Sequence, residues 1–282
     1  MKKNVNLPRW SISIFYIIGV CCFIGIPMLS NYLIMKTTKS DTDISFTLLD
    51  YINLTPPVVF IFVLIIPVII LDRVQSSKID TDNIKQIAKS NLQYTRSGSV
   101  LYSVGLNFDR FALRDIGLGI LFAIFTLGAI FVHSNFLLGE KLWTNNVDIT
   151  NFNFIATTFF LVLTEELLFR GYIFQNIYRK NNSILVVLVS SLLFALAHFI
   201  SYDFDIIYFL NIFIAGILFC VMYIKTKSLW GSISFHFAWN VLSFNTSIEH
   251  NFLCGIALLI FIFIVLKFFK PSYRINSYWL VN

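Results

Sequence analysis

Three short runs in this chain of 282 residues put ionisable side chains inside long apolar stretches. The first, residues 164–170, carries Glu165, Glu166 and Arg170; the second ends in His198, four residues after Phe194; the third holds His236 and Asn240. On a helix turning about 100° per residue, Glu166 and Arg170 lie about 40° apart and Glu165 and Arg170 about 140° apart. Glu166 is therefore the natural partner of Arg170, and Glu165 is left to face a cavity. A desolvated carboxylate beside a histidine is chemically suited to activate water as a general base. His236 and Asn240, spaced i,i+4, share one helical face and could polarise a peptide carbonyl or hold its oxyanion.

Each residue also has a plainer reading. A Glu–Arg pair within a membrane helix can be a structural brace, and a single membrane histidine can simply bond a neighbouring helix. His133 and His250 fall near the outer ends of spans and read as interfacial. Glutamates and histidines in spans also build proton relays, but no inverted repeat or pair of broken helices supports a transporter. A non-catalytic scaffold that regulates a signalling or cell-envelope partner has no need of an unpaired buried glutamate. The conjunction of Glu165, His198, His236 and Asn240 favours a peptidase, because ionisable groups are costly in a bilayer unless they are paired or hydrated.

The elements that must carry these residues are membrane helices. Hydrophobic residues make up 57% of the chain and charged ones 13%, against the near-half and quarter of soluble domains. A crossing takes roughly 20 apolar residues. Eight stretches qualify, at about 10–35, 52–71, 116–138, 153–178, 184–201, 206–224, 229–247 and 252–269. The second is disturbed by Pro56, Pro57 and Pro67, and the fourth is interrupted by the two glutamates and Arg170. Lys2, Lys3 and Arg9 precede a first run too long for a signal peptide, which reads as a retained span.

With both termini cytoplasmic and eight alternating spans, every Lys and Arg except Lys36, Lys39 and Lys141 falls on the inner side or within the fourth span. The same topology fixes depth. Glu165 lies 14 residues before Arg179, about 21 Å along a helix; His198 lies 15 residues past Ser183, roughly 22 Å; Asn240 lies 13 past Lys227, about 20 Å. The polar groups thus converge on one layer near mid-membrane. Residues 72–115 form the longest soluble segment, read as a cytoplasmic connection with an interfacial helix over 100–114.

The formal charge of +6 is spread in short blocks between apolar runs, so it sets orientation and does not suggest nucleic acid. Cys21, Cys22, Cys220 and Cys254 sit in apolar stretches without Cys-x-x-Cys spacing and read as packing residues. The excess of phenylalanine reads as lipid-facing and packing surface. A composition rich in Ile, Asn, Lys and Phe points to an AT-rich bacterial genome.

The three runs resemble the CPBP family of CAAX proteases and bacteriocin-processing enzymes, also called Abi proteins. Its pattern of Glu-Glu-x-x-x-Arg, Phe-x-x-x-His and His-x-x-x-Asn stands here as Glu165-Glu166 with Arg170, Phe194 with His198, and His236 with Asn240. Residues around Asn211, Ala215-Gly216 and Ser228-Leu229-Trp230 also look like the family, and the similarity spans about 100–245. The resemblance implies an all-α polytopic membrane protein with about eight transmembrane helices around an internal catalytic chamber. Residues 1–99 would form an N-terminal membrane region, 100–250 the peptidase core, and 251–282 a last span with a cytoplasmic tail. By analogy, Glu165 with His198 activates water, His236 with Asn240 stabilises the oxyanion, and Glu166 with Arg170 supports them. The family has been described as metal-dependent and as glutamate-dependent. No His-Glu-x-x-His is present, yet Glu165, His198 and His236 are able to supply three ligands to zinc. The expected partners are membrane lipid and a peptide or protein substrate, including the peptides of bacteriocin maturation, immunity or signalling.

Overall fold

The computed structural model describes residues 105–106, 108–139, 142, 149–178, 183–198 and 205–269, all within the compact unit Ser103–Asn282. The spans expected at 10–35 and 52–71, with most of the polar segment 72–115, lie outside the described residues. The elements are helices: α1 Ala112–Val132, α2 Phe152–Glu166, α3 Ser183–His198, α4 Ile206–Thr226, α5 Trp230–Ser243 and α6 Phe252–Phe268. α1 continues as a π-helical turn, His133–Leu137. α2 continues as a longer π-helical segment, Leu167–Phe174, and a last α-turn, Gln175–Tyr178.

Side-chain caps open three of the helices. Asn151 Oδ1 accepts the backbone N–H of Asn153 at 2.8 Å to start α2. Asp205 Oδ1 accepts those of Ile207 and Tyr208 at 2.7 and 3.2 Å to start α4, and Asn251 Oδ1 accepts that of Leu253 at 2.9 Å to start α6. These satisfy backbone donors that would otherwise be left without partners at the helix ends. α1 begins before the expected residue 116 and takes in Arg114 and Asp115, which neutralise each other at 2.9 Å. Residues 108–111 form a turn leading into α1, so the interfacial helix expected over 100–114 does not run through them. α5 stops at Ser243, short of the expected 247, because the Thr246 N–H and hydroxyl both donate to the Ser243 carbonyl, at 2.8 and 2.7 Å.

Three helical stretches are long and apolar enough to cross a bilayer: Ala112–Leu137, Phe152–Phe174 and Ile206–Thr226. The α3, α5 and α6 helices, at 16, 14 and 17 residues, are shorter. At 1.5 Å per residue α5 reaches about 21 Å, against about 30 Å of hydrocarbon. The chain is a multi-pass helical membrane protein, with three such spans among the described residues.

The distribution of polarity is that of a protein dissolved in lipid. α3 exposes Leu185, Leu188, Leu192 and Leu196 along one stripe, while Ser190 and Ser191 are fully buried. α6 likewise exposes Leu259, Ile260, Phe263 and Leu266. The apolar faces turn outward, and small or polar residues occupy the helix interfaces. α5 packs on α1 and α2, and α4 packs on α3 and α6. The α1–α5 contact has backbones nearly touching: a Cβ at Gly119 would fall on Ser234 Oγ and 2.5 Å from the Gly231 carbonyl oxygen. Cys220 and Cys254 are buried and unbridged; Cys21 and Cys22 lie outside the described residues.

Candidate active site

The charged run of the fourth expected span does not break its helix. Backbone bonding continues from α2 through the π-helical segment Leu167–Phe174, and the charges are buried, with Glu165 8% exposed and Glu166 and Arg170 fully enclosed. A π-helix, bonded i to i+5, does not keep the 100° step beyond Glu166, and such segments concentrate at functional sites. The expected ion pair nevertheless forms: Arg170 Nη1 donates to Glu166 Oε1 at 2.9 Å. Arg170 Nη2 donates to the Gly216 carbonyl at 3.2 Å.

α5 brings His236 against both glutamates. Its Nδ1 lies 3.1 Å from Glu166 Oε1, the oxygen already bonded to Arg170. On the far side of the ring, Nε2 lies 3.7 Å from Glu165 Oε2. That carboxylate oxygen is buried and has no hydrogen-bond partner among the described residues. Since a carboxylate only accepts, His236 donates through Nδ1 and is thereby oriented, with Nε2 turned to Glu165. Glu166 is thus more than a brace for Arg170: it serves two donors on two helices.

His198 closes α3. Its Nδ1 donates to the Phe194 carbonyl at 2.9 Å, one turn back on α3. The Phe194 ring lies between the two imidazoles, 4.7 Å from His198 and 5.7 Å from His236. No hydrogen bond or ion pair joins Glu165 to His198 among the described residues; the imidazole against Glu165 is that of His236. Asn240 follows His236 by one turn of α5 and is half-buried. Among the described residues no three His, Cys, Asp or Glu side chains are grouped to hold a metal ion.

The sequence marked Gly216 by its family likeness alone and did not single out Phe219. Gly216 lets α3 and α4 meet backbone to backbone, since a Cβ there would lie 2.9 Å from Ser191 Cβ and 3.0 Å from its Cα. Phe219, one turn on, lays its ring on His236, with centroids 4.9 Å apart and planes at 21°. A small residue one turn before an aromatic on a span is the only signal that could have singled Phe219 out among 31 phenylalanines. His133 and His250 lie away from the cluster. His250 bonds Asp205 at 2.8 Å, and His133 starts the π-helical turn after α1.

Residues 148–242 match the family model described as Type II CAAX prenyl endopeptidase Rce1-like. No curated protein and no solved structure matches the chain. The matched residues span all three motifs and every side chain of the cluster, and the matched family is the CPBP family that those motifs resemble.

Proposed function

We propose that the chain is an intramembrane endopeptidase of glutamate type, acting on a membrane-associated peptide or protein from a chamber within the helices. The observation that carries this is the buried Glu165 carboxylate, with one oxygen lacking a hydrogen-bond partner among the described residues and 3.7 Å from His236 Nε2. An unsatisfied acceptor in a dry setting is expensive, and a water molecule presented to it supplies the missing donor. In this reading Glu165 takes a proton from that water as its oxygen attacks the scissile carbonyl carbon. The Asn240 amide, and His236 Nε2 once it carries a proton in addition to the one on Nδ1, hold the resulting oxyanion. When the carbon–nitrogen bond breaks, Glu165 returns the proton to the leaving amine. Glu166 keeps the His236 ring in register through Nδ1 and is itself held by Arg170. In this reading His198 assists Glu165 with the attacking water. The matched family's description names a CAAX prenyl endopeptidase, so a prenylated carboxy-terminal tail is the first substrate class to try; bacteriocin-like peptides are the second.

The test compares, by mass spectrometry, the peptides released in cells carrying the wild type or Glu165→Gln at equal membrane abundance. A set of peptides present with wild type and lost with Glu165→Gln is expected, unchanged when isolated membranes are washed with chelator. Identical sets from the two proteins would remove the peptidase reading. Loss on chelation alone would replace its glutamate chemistry with a metal.

A further inference from the structure

α4 supplies no carboxylate, imidazole or cation to the site, yet it reaches the site at Gly216 and at Phe219. The Gly216 carbonyl accepts from Arg170, and one turn later Phe219 faces His236. Phe219 is 2% exposed, and an ordinary reading makes it core filler. Its geometry is more specific. The ring stacks on the His236 imidazole at 4.9 Å and 21°, and the Arg170 guanidinium carbon lies over the same ring at 4.9 Å. Phe194 on α3 completes the arrangement, with Arg170 4.3 Å above its ring and His236 meeting it edge-on at 5.7 Å and 81°. The two phenylalanines stand at 82° to each other, 6.0 Å apart. The same pair of rings thus bounds the cation and the imidazole.

A single hydrogen bond from Nδ1 to Glu166 anchors one corner of the His236 ring and leaves its plane to rotate, since the outer torsion of histidine is broad and two-fold. A flat aromatic face removes that freedom, and its quadrupole favours both a guanidinium and an imidazole that carries positive charge. We propose that Phe219 is a positioning residue that fixes the plane of His236, and with it the direction of Nε2 toward Glu165, while holding Arg170 on the same ring. The kinetic half of the test below rests on the peptidase reading; the spectroscopic half does not.

The chain has four histidines, so full-length protein with carbon-13-labelled histidine in detergent micelles gives four ring signals, assigned by single His→Gln replacements. Phe219→Leu keeps most of the volume and removes the flat face. It should move the His236 signal downfield by loss of the stacked ring, leaving His133, His198 and His250 in place. Phe174→Leu, which removes an equally buried ring that packs on Tyr223, should leave His236 unmoved. On a peptide released by the wild type, Phe219→Leu should lower turnover about tenfold with KM unchanged, as expected when a donor loses its aim. A His236 signal that stays put in Phe219→Leu, or that moves as much in Phe174→Leu, would overturn the proposal. Phe219→Met serves if the leucine variant fails to accumulate, and failure of both would assign Phe219 to plain core packing. If the wild type releases no peptide, the peptidase reading falls and the His236 signal alone decides the role of Phe219.

Discussion

Two histidine–carboxylate contacts in this molecule invert the usual equation of distance with strength. His250 meets Asp205 at 2.8 Å, with the two side chains 55% and 38% exposed; His236 meets Glu166 at 3.1 Å, with the two 5% and 0% exposed. The shorter contact sits at the start of α4, where water and salt compete for both partners, and pairs of that kind contribute little. The longer one is enclosed with Arg170, where no water is at hand to replace a lost partner. Enclosure, and not separation, decides which contact the fold depends on. It also decides which can do chemistry, because only the buried imidazole is held between two carboxylates.

Removing Glu166 should break the comparison most sharply. Glu166→Ala leaves Arg170 enclosed without its counter-charge and His236 without its anchor, and stranding one partner of a buried pair costs about 3–5 kcal/mol. Membrane abundance should therefore fall steeply in a quantitative immunoblot. The double variant Glu166→Leu/Arg170→Met replaces both charges with apolar volume and should recover much of that abundance while releasing no peptide. If Glu166→Ala accumulates like the wild type, the enclosed pair is not what the helix interface depends on.

A gentler way to sharpen the contrast is to move the helix rather than the charge. Gly119→Ala on α1 would press a methyl against the Gly231 carbonyl and the Phe235 amide nitrogen on α5, 2.5 and 2.9 Å from the new carbon. Backbone cannot rotate away as a side chain can, so α5 must shift, at about 1–3 kcal/mol. His236 rides on α5, and its hydrogen bond to Glu166 should loosen, whereas His250 and Asp205 should be untouched. Selective movement of the His236 signal in the labelled protein checks this. Equal movement at His250 would mean that the two contacts are not independent.

The sequence made the ionisable members of the site legible because charge is conspicuous among apolar residues. The i,i+4 spacing of Glu166 and Arg170 was enough to pair them, even though the helix turns π-helical from Leu167. Which imidazole reaches Glu165 was not legible. That depends on the rotation of α5 about its axis, set by the Gly119 contact with Gly231 and Ser234, and contacts between helices leave no trace in spacing within one helix. Phe219 was hidden for a related reason: an aromatic facing the interior and one facing lipid are the same letter. Helix ends were misjudged where a hydroxyl cut an apolar run short, as Thr246 does after Ser243, or where an ion pair let a helix begin early, as at Arg114 and Asp115.

The smallest expected effect belongs to the exposed pair, and it carries a sign that can be checked. The hydrogen bond from His250, followed by those from the Tyr208 and Ile207 amides, holds the Asp205 carboxyl below its ordinary value of 3.8. A carboxyl whose folded-state value is depressed contributes stability that is present above the unfolded value and is lost as pH falls through the folded one. Asp205→Asn keeps an acceptor for the two amides of the α4 cap, so it tests the charge and not the cap. In thermal unfolding of the detergent-solubilised protein, the wild type should stand slightly above Asp205→Asn at neutral pH. The two curves should converge as the solution is taken below about pH 4. High salt should narrow the neutral-pH gap, since both partners face solvent. A gap as large as that of Glu166→Ala, or one indifferent to acid and salt alike, would show that exposure does not separate the two contacts.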